Sequence, residues 1–221
     1  MKKIFLTLIV IILCKSLNAE KINNDTTIIT TDGGINVYQE QKYYDLKKNV
    51  VIKSKNFDLK ANNVIAHYNK DFYDLTKIIA TGNAEIITLE KSEIKGDKLT
   101  YDINSGNFVI IGNGIFINDE LRVEGEEMQG TIIEVDKVRY IKKVEVKDSK
   151  KVFIKNKDMK SYSKSAIYLK ENDVLELFDE VKIIKGSEVT TGDYANINLK
   201  TNDYSIKSVN NKVKLLISSD D

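Results

Sequence analysis

Histidine and cysteine, which serve most often as catalytic base and reactive thiol, each occur only once in this chain, and they lie far apart in the sequence. His67 is the single histidine and Cys14 the single cysteine. In the alternating stretch 64–68, the side chain of His67 is predicted to point away from the face shared by Ala66 and Tyr68, as a solvent-facing polar residue would. No cysteine–histidine pair can therefore act as nucleophile and base. A serine–lysine or paired-carboxylate site stays open, but the acids fall at outward strand positions. We expect no catalytic residue and no enzyme.

Two polar segments share only their composition with ligand-binding loops. Gly112-Asn113-Gly114 is followed neither by a helix nor by the Lys-Ser/Thr pair of a phosphate-binding loop, so it predicts a hairpin turn. The stretch 102–107 carries several side-chain oxygens, beginning with Asp102, but it lacks the spacing and the closing glutamate of a calcium loop. We expect no metal and no cofactor.

The charge of the chain is balanced. Lysine and arginine number 34 and aspartate and glutamate 33, for a net charge of +1. Acids and bases are interspersed along the chain, without the basic stripe and interleaved aromatics of a nucleic-acid-binding surface. We expect no nucleic-acid partner.

The first residues have the pattern of an export signal. Lys2 and Lys3 precede an apolar run at 4–13, and Ala19 offers a small residue at a plausible cleavage site. The run is shorter than the roughly 20 residues of a membrane-spanning helix, although an uncleaved anchor is the alternative. We predict a cleaved signal peptide at 1–19 and one domain at 20–221. The mature chain then lacks cysteine and hence any disulfide.

Apolar and polar residues alternate with a period of two through almost all of the remaining chain. Examples are 57–61, 121–125 and 175–177, and the alternating segments are rich in Ile, Val, Tyr and Thr. Short breaks of Asn, Asp, Gly and Ser separate them, at 104–107 and 201–203 for example. The pattern predicts an all-β protein.

Two short elements recur along the chain. The first is a small turn followed by a strand, and its six copies begin at 48, 82, 112, 142, 179 and 211. The second is a small residue followed by a polar one, as in Ala61-Asn62, Gly96-Asp97, Gly125-Glu126 and Gly192-Asp193. A period of 30–37 residues indicates about six stacked strand-turn-strand units that share one core, with an evenly spaced sandwich as the alternative. Such units form two facing sheets in a folded-over β jelly roll, whose interior is either a groove or a closed core.

The segments 80–86 and 92–114 resemble the OstA-like, or LptA-type, periplasmic proteins of lipopolysaccharide export. Ser92-Glu93-Ile94-Lys95-Gly96-Asp97-Lys98-Leu99-Thr100-Tyr101 and the later Gly112-Asn113-Gly114 carry the likeness, together with Ala80-Thr81-Gly82-Asn83-Ala84-Glu85-Ile86. The best match spans 57–117, and weaker copies extend it over most of the mature chain. The copy at 121–165 departs from the pattern.

The resemblance implies a periplasmic protein whose apolar groove holds the acyl chains of lipopolysaccharide on the way to the outer membrane. It also implies docking through edge strands to an inner-membrane complex and an outer-membrane barrel, and head-to-tail joining of copies. The candidate docking edges are 28–37 and 213–217. The alternatives are a membrane-anchored LptC-type relative of the same complex and a packed structural β-solenoid without ligand.

The residues predicted to line the groove are the apolar positions of the clearest repeats. They are Val50, Ile52, Phe57, Leu59, Val64, Ala66, Ile86, Ile94, Leu99, Tyr101, Phe108 and Ile115. Core residues and groove residues occupy the same face of each strand, so ordinary packing is the alternative for each of them.

Overall fold

The computed structural model describes residues 27–54, 57–70, 74–136, 138–209 and 212–218. The predicted signal peptide at 1–19 lies outside this range. The described residues form fourteen β-strands in one antiparallel sheet, which confirms the predicted all-β class. The strands are β1 (Ile28–Thr30), β2 (Ile35–Tyr38), β3 (Tyr43–Lys53), β4 (Phe57–Tyr68), β5 (Leu75–Thr88), β6 (Glu93–Asp102), β7 (Asn107–Asn118), β8 (Leu121–Val135), β9 (Val138–Asn156), β10 (Met159–Leu169), β11 (Val174–Lys185), β12 (Glu188–Asn198), β13 (Asp203–Lys207) and β14 (Lys214–Ile217).

The strands follow one another as a meander. From β3 to β12 each strand pairs with the next one in the sequence, so there is no crossover. At one end β1 and β2 both pair with β3, and at the other end β13 and β14 both pair with β12. Each end of the sheet is therefore one strand interrupted at its middle. Between these ends, the ten long strands β3–β12 form five consecutive pairs, and these pairs account for the repeat found in the sequence.

Every long strand is divided at its middle by an irregularity in register, and the sheet folds over along that line. Each long strand therefore has two halves. The halves in line with the short strands β2 and β13 form the first layer, and the halves in line with β1 and β14 form the second layer. The first layer contains 35–38, 43–47, 63–68, 75–81, 98–102, 107–111, 127–135, 138–147, 165–169, 174–178, 194–198 and 203–207. The second layer contains 28–30, 50–53, 57–61, 84–88, 93–96, 114–118, 121–125, 152–156, 159–163, 181–185, 188–192 and 214–217.

Side chains from the two layers touch, so the layers face each other as in a folded-over jelly roll. The ring of Phe57 in the second layer meets that of Tyr101 in the first at 5.9 Å between centroids. Phe116 and Tyr168 make a second such contact at 5.2 Å. Burial alternates along the strands in step with the predicted period of two, as in β4 and β10. The core lies between the layers.

The folds are made by pairs of residues with left-handed backbone. Lys48-Asn49, Gly82-Asn83, Gly112-Asn113 and Asp179-Glu180 all have positive φ at both positions, and each pair coincides with a register shift. In these pairings the two residues oppose a single residue of the neighbouring strand, and a bulge of this kind bends a strand sharply. At Gly112 a Cβ atom would lie 2.4 Å from Asp97 Oδ2 and 3.1 Å from Asp97 Cβ, so a larger residue there would require the Asp97 side chain to move.

The prediction that Gly112-Asn113-Gly114 is a hairpin turn is therefore wrong, because these residues lie inside β7. The hairpin turn before β7 lies at 103–106 instead. Glycine and asparagine tolerate positive φ equally well in a turn and in a bulge, so composition alone could not separate the two. The copy of the element at Lys142-Lys143 is not a fold between the layers either, because neither residue has positive φ and the register shift at Lys142 lies within the first layer. β9 bends later, between Lys147 and Phe153, where five residues oppose two of β8.

The second recurring element of the sequence lies directly beside these bends. Its polar residue contacts the bent strand: Asn113 Nδ2 donates to Asp97 Oδ2 at 2.9 Å, and Ser149 Oγ donates to Glu126 Oε2 at 2.9 Å. Asp193 accepts from Ser208 Oγ at 2.6 Å in the same way. The small residue before it points inward, where the two layers converge and little room remains. The repeat of the sequence is thus a repeat of bends.

Candidate functional site

Inward-facing side chains form continuous rows that run across the strands from one end of the sheet to the other. Directly opposed residues of an antiparallel pair place their side chains on the same face. One row follows from the register of the second layer: Ile29, Ile52, Leu59, Ile86, Ile94, Phe116, Val123, Ile154, Ser161, Ile183, Thr190 and Leu215. With neighbouring strands about 4.8 Å apart, such a row is roughly 50 Å long.

Two parallel rows line the first layer. One contains Ile35, Leu46, Val64, Ala80, Leu99, Ile110, Met128, Val146, Ala166, Leu177, Ala195 and Ile206. The other contains Val37, Tyr44, Ala66, Ile78, Tyr101, Phe108, Gly130, Val144, Tyr168, Leu175, Ile197 and Tyr204. The three rows together give one uninterrupted, almost wholly apolar interior.

Eleven of the twelve residues predicted to line a groove point into this interior. Val50, Ile52, Phe57, Leu59, Val64, Ala66, Ile86, Ile94, Leu99, Tyr101 and Phe108 are at most 8% exposed. Whether any of them contacts a ligand stays a prediction.

The twelfth residue, Ile115, is on the other side of the sheet. The even-numbered residues of β7 point inward, and Phe116 occupies the inward position that was predicted for Ile115. The phase of Phe108 and Ile110 continues unchanged through the bend to Phe116, so counting by two from Phe108 would have found it.

The predicted residues cover only part of the interior. The rows continue through β8–β12 with residues that the prediction did not include, such as Met128, Val146 and Leu177. Of these strands, β8–β10 belong to the copy at 121–165, whose sequence pattern is least regular. Their alternation alone was the signal that could have identified them.

Both ends of the interior are open. Ile35 and Val37 continue the inward rows of the first layer on β2, yet they are 45% and 51% exposed. At the other end, Leu215 continues the row of the second layer on β14 and is 54% exposed. Between the ends, the layers are in contact and the inward side chains are sealed from water. The predicted docking edges 28–37 and 213–217 therefore coincide with the strands that frame these apolar ends.

One long side of the interior is covered by the ends of β8 and β9, which extend beyond their neighbouring strands. Ile132 and Ile141 in these ends are buried, and Ile132 N donates to Gly106 O at 2.8 Å. Arg139 Nη1 donates to Tyr101 OH at 3.3 Å, while its Nε pairs with Glu134 at 2.9 Å. Burial raises the pKa of Tyr101, and burial likewise raises that of Tyr168. Both hydroxyls therefore stay protonated and available as hydrogen-bonding groups.

Several charged and polar groups on the outer faces of the described strands have structural partners. Glu85 accepts hydrogen bonds from Lys95 at 2.8 Å and lies 3.3 Å from Lys60, and the bond from Lys95 holds the pKa of Glu85 below its usual value. Asp102 Oδ1 accepts from the backbone N–H of Ser105 at 2.8 Å, which closes the turn before β7. His67 lies on the outer face beside Tyr43, as predicted. In the described part of the chain, no group of three or more His, Cys, Asp or Glu residues could hold a metal ion.

Comparisons with known proteins identify one matching family. Segments 34–134 and 93–203 match the family described as LptA/(LptD N-terminal domain) LPS transport protein. No curated protein matches the chain. Among solved structures, LptH from Pseudomonas aeruginosa, described as the LptA homologous periplasmic component of the conserved lipopolysaccharide transport device, aligns at 11% identity over 89% of this chain and 97% of LptH. The TM-score of 0.26 is too low to carry an argument, so the family match stands by itself. Within the described residues no helix is long and apolar enough to cross a membrane.

Proposed function

Because the chain belongs to the LptA/LptD N-terminal domain family of lipopolysaccharide transport proteins, we propose that it carries lipopolysaccharide through the periplasm with the acyl chains held between its two layers. The observation that supports this most directly is the set of apolar rows that cross all strands and end exposed at Val37 and Leu215. A site for one small ligand would be a local pocket. Rows that run the full length of the protein suit a cargo that moves along a line.

Transfer of acyl chains into this interior is energetically reasonable. Removing a methylene from water contributes about 0.8 kcal/mol, so a chain between the layers is strongly shielded. The inward residues already touch apolar neighbours, for instance Phe57 against Tyr101. An acyl chain that separates the layers replaces one apolar contact with another. The exchange therefore needs little net free energy, and the protein itself needs no energy source.

We further propose that the exposed end strands join the chain to its partners. β2 and β14 each pair with a single strand and expose all their residues, so each leaves one edge of backbone donors and acceptors free to add another strand. An inner-membrane complex at one end, an outer-membrane barrel at the other and further copies of the chain between them would extend the apolar rows. A cleaved signal at 1–19 would deliver the protein to the periplasm.

A packed structural protein is the second candidate, and the observation that favours it is the near-complete burial of the inward side chains. Photo-crosslinking in cells that produce lipopolysaccharide separates the two. Photoreactive residues are placed at Leu215 and, as a matched control, at Leu216, its neighbour on the opposite face of β14. Both side chains are more than half exposed, so neither substitution strains the fold. A second pair is Leu99, which points inward, and Lys98, which points outward.

We expect adducts with lipopolysaccharide at Leu215 and Leu99, and several-fold fewer at Leu216 and Lys98. Immunoblots of the purified protein with an antibody against lipopolysaccharide measure the yield. Equal yields at inward and outward positions, or no adduct at any of the four, would show that the interior does not carry lipid and would favour the packed structural protein.

A further inference from the structure

One hydroxyl group in the interior has no hydrogen-bond partner. Ser161 on β10 is 1% exposed, and no described residue is placed to bond its Oγ. The register puts it between Ile154 on β9 and Ile183 on β11, whose side chains are buried in the core. Ser161 therefore points into the interior, at a position flanked by apolar neighbours on both sides.

A group of this kind lowers the stability of the protein without its ligand, because a buried hydroxyl loses its hydrogen bond to water and forms no other bond in its place. The other hydroxyls of this region are satisfied. Ser163 Oγ donates to Ser165 O at 2.9 Å, and Thr190 Oγ1 and Tyr204 OH lie 3.0 Å apart. Of the twelve positions in the second-layer row, ten are apolar, Thr190 has its partner, and Ser161 alone is left without one. An apolar residue would fit the row better if packing were the only requirement.

We propose that Ser161 is a polar contact point for the cargo, donating a hydrogen bond to an ester or amide carbonyl, or to a hydroxyl, carried on an acyl chain. This rests on the proposed function. Hydrocarbon alone offers no acceptor, so Ser161 would distinguish acylated sugar lipids, whose chains begin at ester or amide carbonyls, from purely hydrocarbon ligands. The contact would also tie the polar end of an acyl chain to one place along an otherwise uniform interior.

The test compares Ser161→Ala with the matched control Ser163→Ala, two residues away on the same strand and face. Three properties of the full chain are measured: its midpoint of urea unfolding, its affinity for purified lipopolysaccharide, and its affinity for diphenylhexatriene, a hydrocarbon probe without any acceptor. A single hydrogen bond accounts for about a three- to tenfold change in affinity.

We expect Ser161→Ala to unfold at the same or a higher urea concentration, to bind lipopolysaccharide about three- to tenfold more weakly, and to bind diphenylhexatriene as the wild-type chain does. Ser163→Ala should lower the urea midpoint and leave the preference between the two ligands unchanged. Unchanged lipopolysaccharide affinity in Ser161→Ala overturns the proposal, whether or not stability falls. Equal weakening for both ligands also overturns it, because the loss would then be one of packing. If the wild-type chain itself fails to bind lipopolysaccharide, the proposed function fails with it.

Discussion

Replacing Phe116 with alanine should lower the free energy of unfolding by about 3–5 kcal/mol, the range for removing a large aromatic side chain from a core. Phe116 is fully buried in the second layer, and its ring meets that of Tyr168 in the first at 5.2 Å. Its loss would leave a cavity at a point where the two layers touch. Urea unfolding followed by far-UV circular dichroism measures the change.

Ile115→Ala is the matched control, because Ile115 precedes Phe116 on β7 but lies on the outer face, where its side chain is only partly buried. We expect a cost of about 1 kcal/mol or less there, since a smaller buried area is lost. Comparable losses for the two variants would mean that the assignment of inward and outward faces on β7 is wrong. They would also remove the basis for the row that contains Phe116.

Replacing Gly106 with alanine should be among the most damaging changes in the chain. Gly106 has φ of +73°, and a Cβ atom would lie 2.0 Å from Ile132 O, an atom of the backbone. A clash with backbone cannot be relieved by a side-chain rotation. The turn before β7 and the extended end of β8 would have to move apart and break the 2.8 Å bond from Ile132 N to Gly106 O.

Gly186→Ala separates this clash from the cost of left-handed backbone. Gly186 also has positive φ, at +57°, but no atom lies within 4 Å of the position that an alanine methyl group would take, so only the conformational cost of about 1–2 kcal/mol applies. Gly106→Ala should cost at least about 2 kcal/mol more than that, as overpacked sites do. Thermal unfolding of the two variants side by side measures the difference. Equal destabilisation would contradict the close packing of Ile132 over this turn.

The fold could be predicted from the sequence because a period of two and a repeat of about 30 residues are properties of the sequence itself. The recurring element marked four of the bends, at 48, 82, 112 and 179, but its composition did not distinguish a bend inside a strand from a hairpin turn. Gly112-Asn113 has the composition of a hairpin turn, and only the pairing of β7 with both of its neighbours shows that the strand passes through it. The bend of β9 had no such signature, because it uses residues 148–152 in place of two left-handed residues.

The interior was predictable wherever alternation was regular, and the error at Ile115 came from assigning the strand without counting from Phe108. Ser161 could not have been found in this way. A serine on an alternating strand is ordinary in sequence, and its missing hydrogen bond depends on what Ile154 and Ile183 place on either side of it. Contacts between layers, such as Phe57 with Tyr101, also depend on how the sheet folds.

The measurement that tests the central claim most directly is the distance between the two layers with and without lipopolysaccharide. Spin labels are attached to cysteines that replace Lys98 on the first layer and Lys60 on the second, in a chain with Cys14→Ser. Both lysines are exposed on outer faces. Labels at Lys98 and Lys207, both in the first layer, provide the control. We expect lipopolysaccharide to lengthen the distance between layers by several ångströms and to leave the distance within the first layer unchanged. Binding of lipopolysaccharide with no change in the distance between layers would contradict the claim that acyl chains lie between them.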